Sequence, residues 1–112
     1  MEALSTQQCS ELTKDNSALN KDEATKLLQQ LDPQWQLNKP DKNISYTFKF
    51  KNYYQTMAFA NVVAQIAHQQ NHHPDLSISY SQCTVTYSTH SVDGLSVNDF
   101  ICAAKINAAL TL

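Results

Sequence analysis

A chain of 112 residues, 42% of them hydrophobic, has the size of one domain and is too apolar to be disordered, so we expect a single domain over residues 1–112. Its net charge of −2 provides no basic surface of the kind that nucleic-acid-binding proteins use. No apolar run approaches the roughly 18 residues of a membrane span, and the first residues lack the pattern of a signal peptide. We therefore expect a cytoplasmic protein without nucleic-acid or membrane partners.

The chain opens with a polar segment and then a capped helix. Residues 1–19 are irregular in pattern, with room for one short helical turn. Asn20 followed three residues later by Glu23 is typical of a capping box, and apolar residues at helical spacing follow as far as Leu31. Pro33 is expected to end this helix because proline cannot continue the backbone hydrogen bonding.

Two strands are predicted next. Trp35 and Leu37 alternate with polar neighbours, which indicates a short strand, and residues 40–43 form a turn cluster. A strict alternation of apolar and polar residues then predicts a strand with one buried face. Its apolar members are Ile44, Tyr46, Phe48 and Phe50.

The period changes to helical over residues 53–71, and this long helix has to end before Pro74. Its predicted apolar stripe consists of Phe59, Val62, Val63 and Ile66. A third strand follows, with Leu76, Ile78 and Tyr80 alternating with serines.

The fourth strand and the last helix complete the pattern. Cys83, Val85 and Tyr87 form the inward face of that strand, and the single glycine, Gly94, marks a demanding turn. Ser96 is expected to cap the last helix, with Asp99 at the capping-box position; Phe100, Ala103, Ala104 and Asn107 lie near one side of it. The order α-β-β-α-β-β-α predicts an α+β fold, in which helices pack on one face of a four-stranded antiparallel sheet.

Three cysteines stand far apart, at Cys9, Cys83 and Cys102. Their odd number and wide spacing match neither a disulfide framework nor a CxxC metal site. We interpret Cys83 and Cys102 as small core residues and Cys9 as an ordinary thiol in a polar segment.

The four histidines, in contrast, are clustered: His68, His72, His73 and His90. Histidine is the side chain best suited to proton transfer near neutral pH. In an antiparallel sheet the start of the third strand lies beside the end of the fourth, so His72 and His73 are expected to approach His90. The cluster therefore predicts an acid/base site.

Other interpretations remain open at this point. Histidines at the ends of helices are often exposed capping residues that favour the negative end of the helix dipole. His68 and His72 also have the i, i+4 spacing of zinc ligands, with His90 as a third, although no HExxH glutamate and no nearby cysteine support a metal site.

A wider set of residues matches the sequence signature of a known family. Its members are His72-His73-Pro74, Tyr80, Thr89-His90, Gly94-Leu95 and Asp99, with Trp35, Phe48-Lys49-Phe50 and Phe59 matching as well. Over roughly residues 21–110, this pattern resembles the signature of the pterin-4a-carbinolamine dehydratase family. The resemblance implies the α+β fold described above, assembly into homodimers or homotetramers, and an enzyme that needs no cofactor or metal.

The resemblance also implies a reaction. Water is lost from 4a-hydroxytetrahydrobiopterin, a pterin-4a-carbinolamine, to give the quinonoid dihydropterin. In that family the step recycles the tetrahydrobiopterin cofactor of aromatic amino-acid hydroxylases. The implied catalytic residues are His72, His73 and His90, with His72 and His90 as the acid/base pair and His73 chiefly binding the pterin. Asp99 would orient His90 or hold the site together.

Two positions depart from the family pattern. His68 stands where many relatives carry glutamate; it could help to orient the substrate, and a cation there would lower the pKa of His72 if the two lie close. Leu76 stands where animal members carry tryptophan, and nothing in this sequence supports the coactivator role of those proteins. A non-catalytic interaction module with the same fold remains an alternative, and it should tolerate alanine at His72.

Overall fold

The computed structural model describes residues 3–110 and contains three α-helices and four β-strands in the predicted order. The elements are α1 (Lys21–Leu28), β1 (Gln36–Asn38), β2 (Asn43–Lys49), α2 (Tyr53–Gln70), β3 (Asp75–Ile78), β4 (Gln82–Tyr87) and α3 (Val97–Leu110), with 3₁₀ turns at Leu4–Thr6 and His90–Val92. Within residues 3–110, none of the helices is both long enough and apolar enough to cross a membrane.

The strands form one antiparallel sheet in the order β1-β2-β4-β3. On the inner face, Ile44, Cys83 and Val85 are completely buried, whereas the outward Thr47 and Lys49 are exposed. The helices cover the inner face, which confirms the predicted α+β architecture.

Helix α1 begins as predicted but ends early. Asn20 Oδ1 accepts from the Glu23 amide at 2.8 Å, and Glu23 Oε1 accepts from the Asn20 amide at 2.9 Å, so the capping box is formed. The helix stops at Leu28, well before Pro33, because the next turn tightens: the Leu31 amide bonds back three residues to Leu28, at 3.0 Å. This tight turn lets Leu31 be buried although it lies outside the helix.

Helix α2 confirms three of its four predicted core positions. Phe59, Val63 and Ile66 are buried, but Val62 is 40% exposed, so its inclusion in the stripe was wrong. Val62 lies about 100° around the helix from Val63 and faces away from the sheet. Asn71 ends the helix in the left-handed conformation, with φ of 51°.

Strand β3 forms an edge of the sheet and is exposed along its whole length. Leu76 and Ile78 pair with Val85 and Cys83, yet they remain 37% and 40% exposed at this edge of the sheet. Tyr80 lies beyond the end of β3 and is 65% exposed.

The irregular N-terminal segment, residues 3–19, is firmly attached to the fold. Leu4 is buried, and Lys105 of α3 donates to the Ser5 carbonyl at 2.9 Å. Ser10 exchanges two backbone-to-side-chain hydrogen bonds with Asn98, at 2.8 and 3.1 Å. The segment therefore lies along α3 with a fixed register.

Gly94 is required by a close approach and not by an unusual backbone conformation. A Cβ at this position would lie 3.0 Å from the Ala18 Cβ, since residues 18–19 pass directly over the turn. The left-handed residue of the turn is its neighbour Asp93, with φ of 51°.

Candidate functional site

Three of the four histidines line one open pocket of about 240 Å³. The left-handed Asn71 turns the chain out of α2, and pairing of Asp75 with Thr86 then brings the start of β3 beside the end of β4. The residues lining the pocket are Asn71, His72, His73, Ser88, Thr89, His90 and Ser91. His90 lies in the 3₁₀ turn after β4 and not in the strand itself.

The imidazole of His72 rests on a buried carboxylate. His72 Nε2 lies 2.6 Å from Asp99 Oδ1, and the side chains are 12% and 0% exposed. Asp99 Oδ2 accepts from the Thr89 hydroxyl at 2.8 Å and from the Ser96 amide at 3.0 Å. Both oxygens of the Asp99 carboxylate therefore accept hydrogen bonds. Asp99 bonds to His72, so of its two expected roles, orienting His90 or holding the site together, the contacts favour the second.

The predicted cap of α3 is what places this carboxylate. Ser96 Oγ accepts from the Asn98 amide at 3.2 Å, while Asp99 bonds back to the Ser96 amide as a capping box requires. The Thr89 and Ser96 hydroxyls lie 2.7 Å apart and connect the end of β4 to the start of α3. One local motif therefore both starts the helix and fixes the partner of His72.

The net effect of this environment is to raise the pKa of His72. Burial alone would lower the pKa by disfavouring the cation, but the hydrogen bond and negative charge of Asp99, with a smaller contribution from Cys9, outweigh it. His72 is therefore cationic over a wider pH range than a free imidazole.

His68 does not join the other histidines. It is exposed near the end of α2, and it is neither among the residues lining the pocket nor among the groups that shift the pKa of His72. The condition under which His68 would lower the pKa of His72 is therefore not met, and the hydrogen bond and charge of Asp99, with Cys9, raise that pKa against the effect of burial. Within residues 3–110, no three histidine, cysteine or acidic side chains are grouped as metal ligands.

The ring of Tyr87 packs against the imidazole of His72, a contact that the sequence did not indicate. The two rings stack with centroids 5.4 Å apart and planes 10° from parallel. Alternation along β4 correctly predicted that Tyr87 is buried, but no local signal shows which ring lies over it. The stack leaves the His72 ring little freedom to tilt.

We expect Tyr87→Phe to leave the fold intact and to raise the free energy of unfolding by about 1 kcal/mol. Within residues 3–110 the Tyr87 hydroxyl is buried and has no partner in hydrogen-bond geometry, and burial together with the neighbouring Cys102 thiol raises the pKa of Tyr87. Phenylalanine keeps the stack and removes the unsatisfied group. Urea unfolding of both proteins measures the difference, and a loss of more than 1 kcal/mol would show that the hydroxyl has a partner.

Comparison with known proteins adds independent information. Residues 17–109 match the family model described as pterin 4 alpha carbinolamine dehydratase. A Nitrosomonas eutropha protein named "Putative pterin-4-alpha-carbinolamine dehydratase" is 59% identical over 92 residues, covering 82% of this chain and 80% of the relative. A Legionella pneumophila (strain Corby) protein with the same name is 45% identical over 107 residues, covering 96% and 95%.

Solved structures agree with the fold. A crystal structure described as a transcriptional coactivator/pterin dehydratase from Brucella melitensis superposes with a TM-score of 0.77 at 33% identity, covering 82% of this chain and 97% of that one. A pterin dehydratase-like RuBisCO assembly factor of the α-carboxysome has a TM-score of 0.54 at 23% identity, covering 66% and 83%. The second likeness shows the shared fold alone.

Proposed function

Because the chain belongs to the pterin-4a-carbinolamine dehydratase family of hydro-lyases, we propose that its three-histidine pocket removes water from 4a-hydroxytetrahydrobiopterin by histidine acid/base catalysis. The observation that carries the proposal is the part-buried hydrogen bond between His72 and Asp99 at the wall of a pocket that His73 and His90 also line. Such a pair can supply the proton donor that the family reaction needs.

His72 is the general acid in this proposal. Hydroxide is a poor leaving group, so the hydroxyl at C4a has to be protonated as its bond to carbon breaks. An ionised carboxylate only accepts hydrogen bonds, so Nε2 keeps its hydrogen toward Asp99 and Nδ1 is the atom that gives up a proton. The raised pKa of His72 keeps that proton in place near neutral pH.

His90 is the partner base and His73 chiefly binds the pterin. Loss of the C4a hydroxyl as water leaves a cation that becomes the quinonoid dihydropterin when the N5 proton departs. His90 is exposed and lines the same pocket, so in this proposal it accepts the proton directly or through water. One proton enters and one leaves, no electrons are transferred, and the proposal therefore includes no metal or cofactor.

The biological setting follows from the same reaction. The quinonoid product is the form from which tetrahydrobiopterin is regenerated, so we place the protein in the cytoplasm beside an aromatic amino-acid hydroxylase. The exposed edge strand β3, with Leu76 and Ile78 uncovered, offers the surface for pairing of subunits into a homodimer or homotetramer.

The direct test is the dehydration of chemically generated 4a-hydroxytetrahydrobiopterin, followed by ultraviolet absorbance with and without the purified protein. We expect the protein to accelerate the reaction above buffer. Lys26→Ala, on the exposed surface of α1, serves as the control that retains the full rate. If folded protein gives only the buffer rate, the catalytic proposal fails and the same pocket has to be examined as a binding surface.

His73 and His90 should differ in which kinetic constant they change. For His90→Ala we expect kcat to fall by about 10–100-fold because proton transfer is lost. For His73→Ala we expect KM to rise several-fold with kcat nearly unchanged, as when uniform binding is removed. Steady-state kinetics on both variants decides the roles, and the opposite pattern would exchange them.

A further inference from the structure

Two cysteine sulfur atoms lie close together, outside the lining of the histidine pocket. Cys9 Sγ, on the N-terminal segment, lies 3.5 Å from Cys102 Sγ, in the second turn of α3. Cys102 is completely buried, as predicted, and Cys9 is partly exposed. The sequence carries no sign of this contact, since the two cysteines are 93 positions apart and only the tertiary fold pairs them.

The segment that carries Cys9 is held on both sides of the sulfur. The Cys9 amide donates to Gln70 Oε1 at 2.8 Å, and the same Gln70 donates to Gln8 at 2.8 Å. Ser10 is fixed by its paired hydrogen bonds to Asn98, whose carbonyl lies 3.6 Å from Cys9 Sγ. The approach of the two sulfurs is therefore built into the backbone.

The surroundings make the two thiols chemically unequal. The hydrogen bond from Cys102 lowers the pKa of Cys9, and the positive charge of His72 acts in the same direction, while burial opposes both. The same pairing and burial raise the pKa of Cys102. We therefore expect the partly exposed Cys9 to be the thiol that reacts first with an oxidant, with Cys102 as its neighbouring thiol.

We propose that Cys9 and Cys102 are an oxidation site that forms a reversible intramolecular disulfide when the protein meets a hydroperoxide. The Cys9 thiolate attacks the peroxide oxygen, which breaks the O–O bond, gives a sulfenic acid on Cys9 and releases an alcohol or water. Cys102 sulfur then attacks the Cys9 sulfur, its proton leaves with the hydroxyl as water, and the S–S bond forms. The two thiols are oxidised, and one peroxide is reduced.

The geometry requires only a small closure. A disulfide has a sulfur separation of about 2.05 Å, so the atoms have to approach by about 1.5 Å from their present contact. The bond would fasten the N-terminal segment to α3, and because it closes a loop of about 90 residues it should raise the Tm by about 5 °C or more. This proposal stands independently of the dehydratase activity.

The test uses the full-length reduced protein treated with a small excess of hydrogen peroxide. We expect a monomer lighter by about 2 Da, with one alkylatable thiol remaining after denaturation and full recovery of three thiols after dithiothreitol. The remaining thiol should map to Cys83, which is buried in β4 and serves as the internal control.

Variants test which of the three cysteines form the bond. Cys83→Ala should form the disulfide as the wild type does, while Cys9→Ser should keep both of its thiols under the same treatment. Retention of all three thiols in the treated wild type, a disulfide that includes Cys83, or a disulfide only between two chains would overturn the proposal. The wild-type result alone decides it, even if a variant fails to fold.

Discussion

Replacement of His72 by glutamine is expected to reduce kcat/KM for dehydration by about 10²–10⁴-fold, the usual contribution of a general acid. Glutamine keeps polar atoms in the pocket but has no proton to transfer near neutral pH. The variant should remain folded, because His72 lies at the wall of the pocket and not in the apolar core. Circular dichroism provides the fold control for the kinetic measurement.

The pH dependence of the dehydration rate provides a second test of His72 as the general acid. With His72 as the acid, the rate should fall as the pH rises through its raised pKa, and this limb should be absent from His72→Gln. Substitution of His73 by alanine should leave the limb in place. A rate loss smaller than about three-fold in His72→Gln would assign the acid to another group.

The second large effect is expected from Asp99→Asn, which should lower the free energy of unfolding by about 2–4 kcal/mol. The carboxylate is completely buried and accepts from His72, Thr89 and the Ser96 amide, so a carboxamide has to turn an N–H toward at least one donor. Urea unfolding at two pH values measures the loss.

The pH dependence of that loss follows from linkage. The folded-state pKa of His72 is raised above its ordinary value of 6.5, so the His72–Asp99 pair stabilises the fold fully below that value. The contribution disappears as the pH rises through the folded-state pKa. The difference in unfolding free energy between wild type and Asp99→Asn should therefore be larger at pH 6 than at pH 9.

Asp99 acts through His72, so its effect on catalysis has a particular form. In Asp99→Asn the falling limb of the rate profile should move to lower pH, because the groups that raise the pKa of His72 are weakened. Ser96→Ala is the matched control: it removes the capping hydroxyl, costs about 1 kcal/mol and keeps the Ser96 amide bonded to Asp99. The falling limb of the pH–rate profile of Ser96→Ala should lie at the same pH as that of the wild type.

What the sequence could predict depended on how local the determining interactions are. The order of elements, the capping box at Asn20 and the burial of Tyr87 follow from spacing within a few residues, and all three were predicted correctly. The end of α1 was misplaced because Pro33 limits a helix without requiring it to extend that far. The failure with Val62 shows that an apolar residue beside a stripe need not belong to it.

The site was predicted less completely than the fold. Antiparallel topology was enough to bring His72 and His73 toward His90, but the partner of Asp99 depends on how α3 packs against the end of α2. Asp99 lies 27 positions from His72, and capping-box spacing says nothing about a contact over that distance. Nothing in the sequence indicates the still more distant contact between Cys9 and Cys102.

The attachment of residues 3–19 has a consequence for the order of events during synthesis. The segment leaves the ribosome well before α3, yet the hydrogen bonds that Asn98 donates to Ser10 and Lys105 donates to Ser5 span 88 and 100 positions. These two contacts cannot form until nearly the whole chain has been translated. The attachment of the N-terminal segment to α3 is therefore among the last contacts to form, although the residues of that segment are among the first to be made.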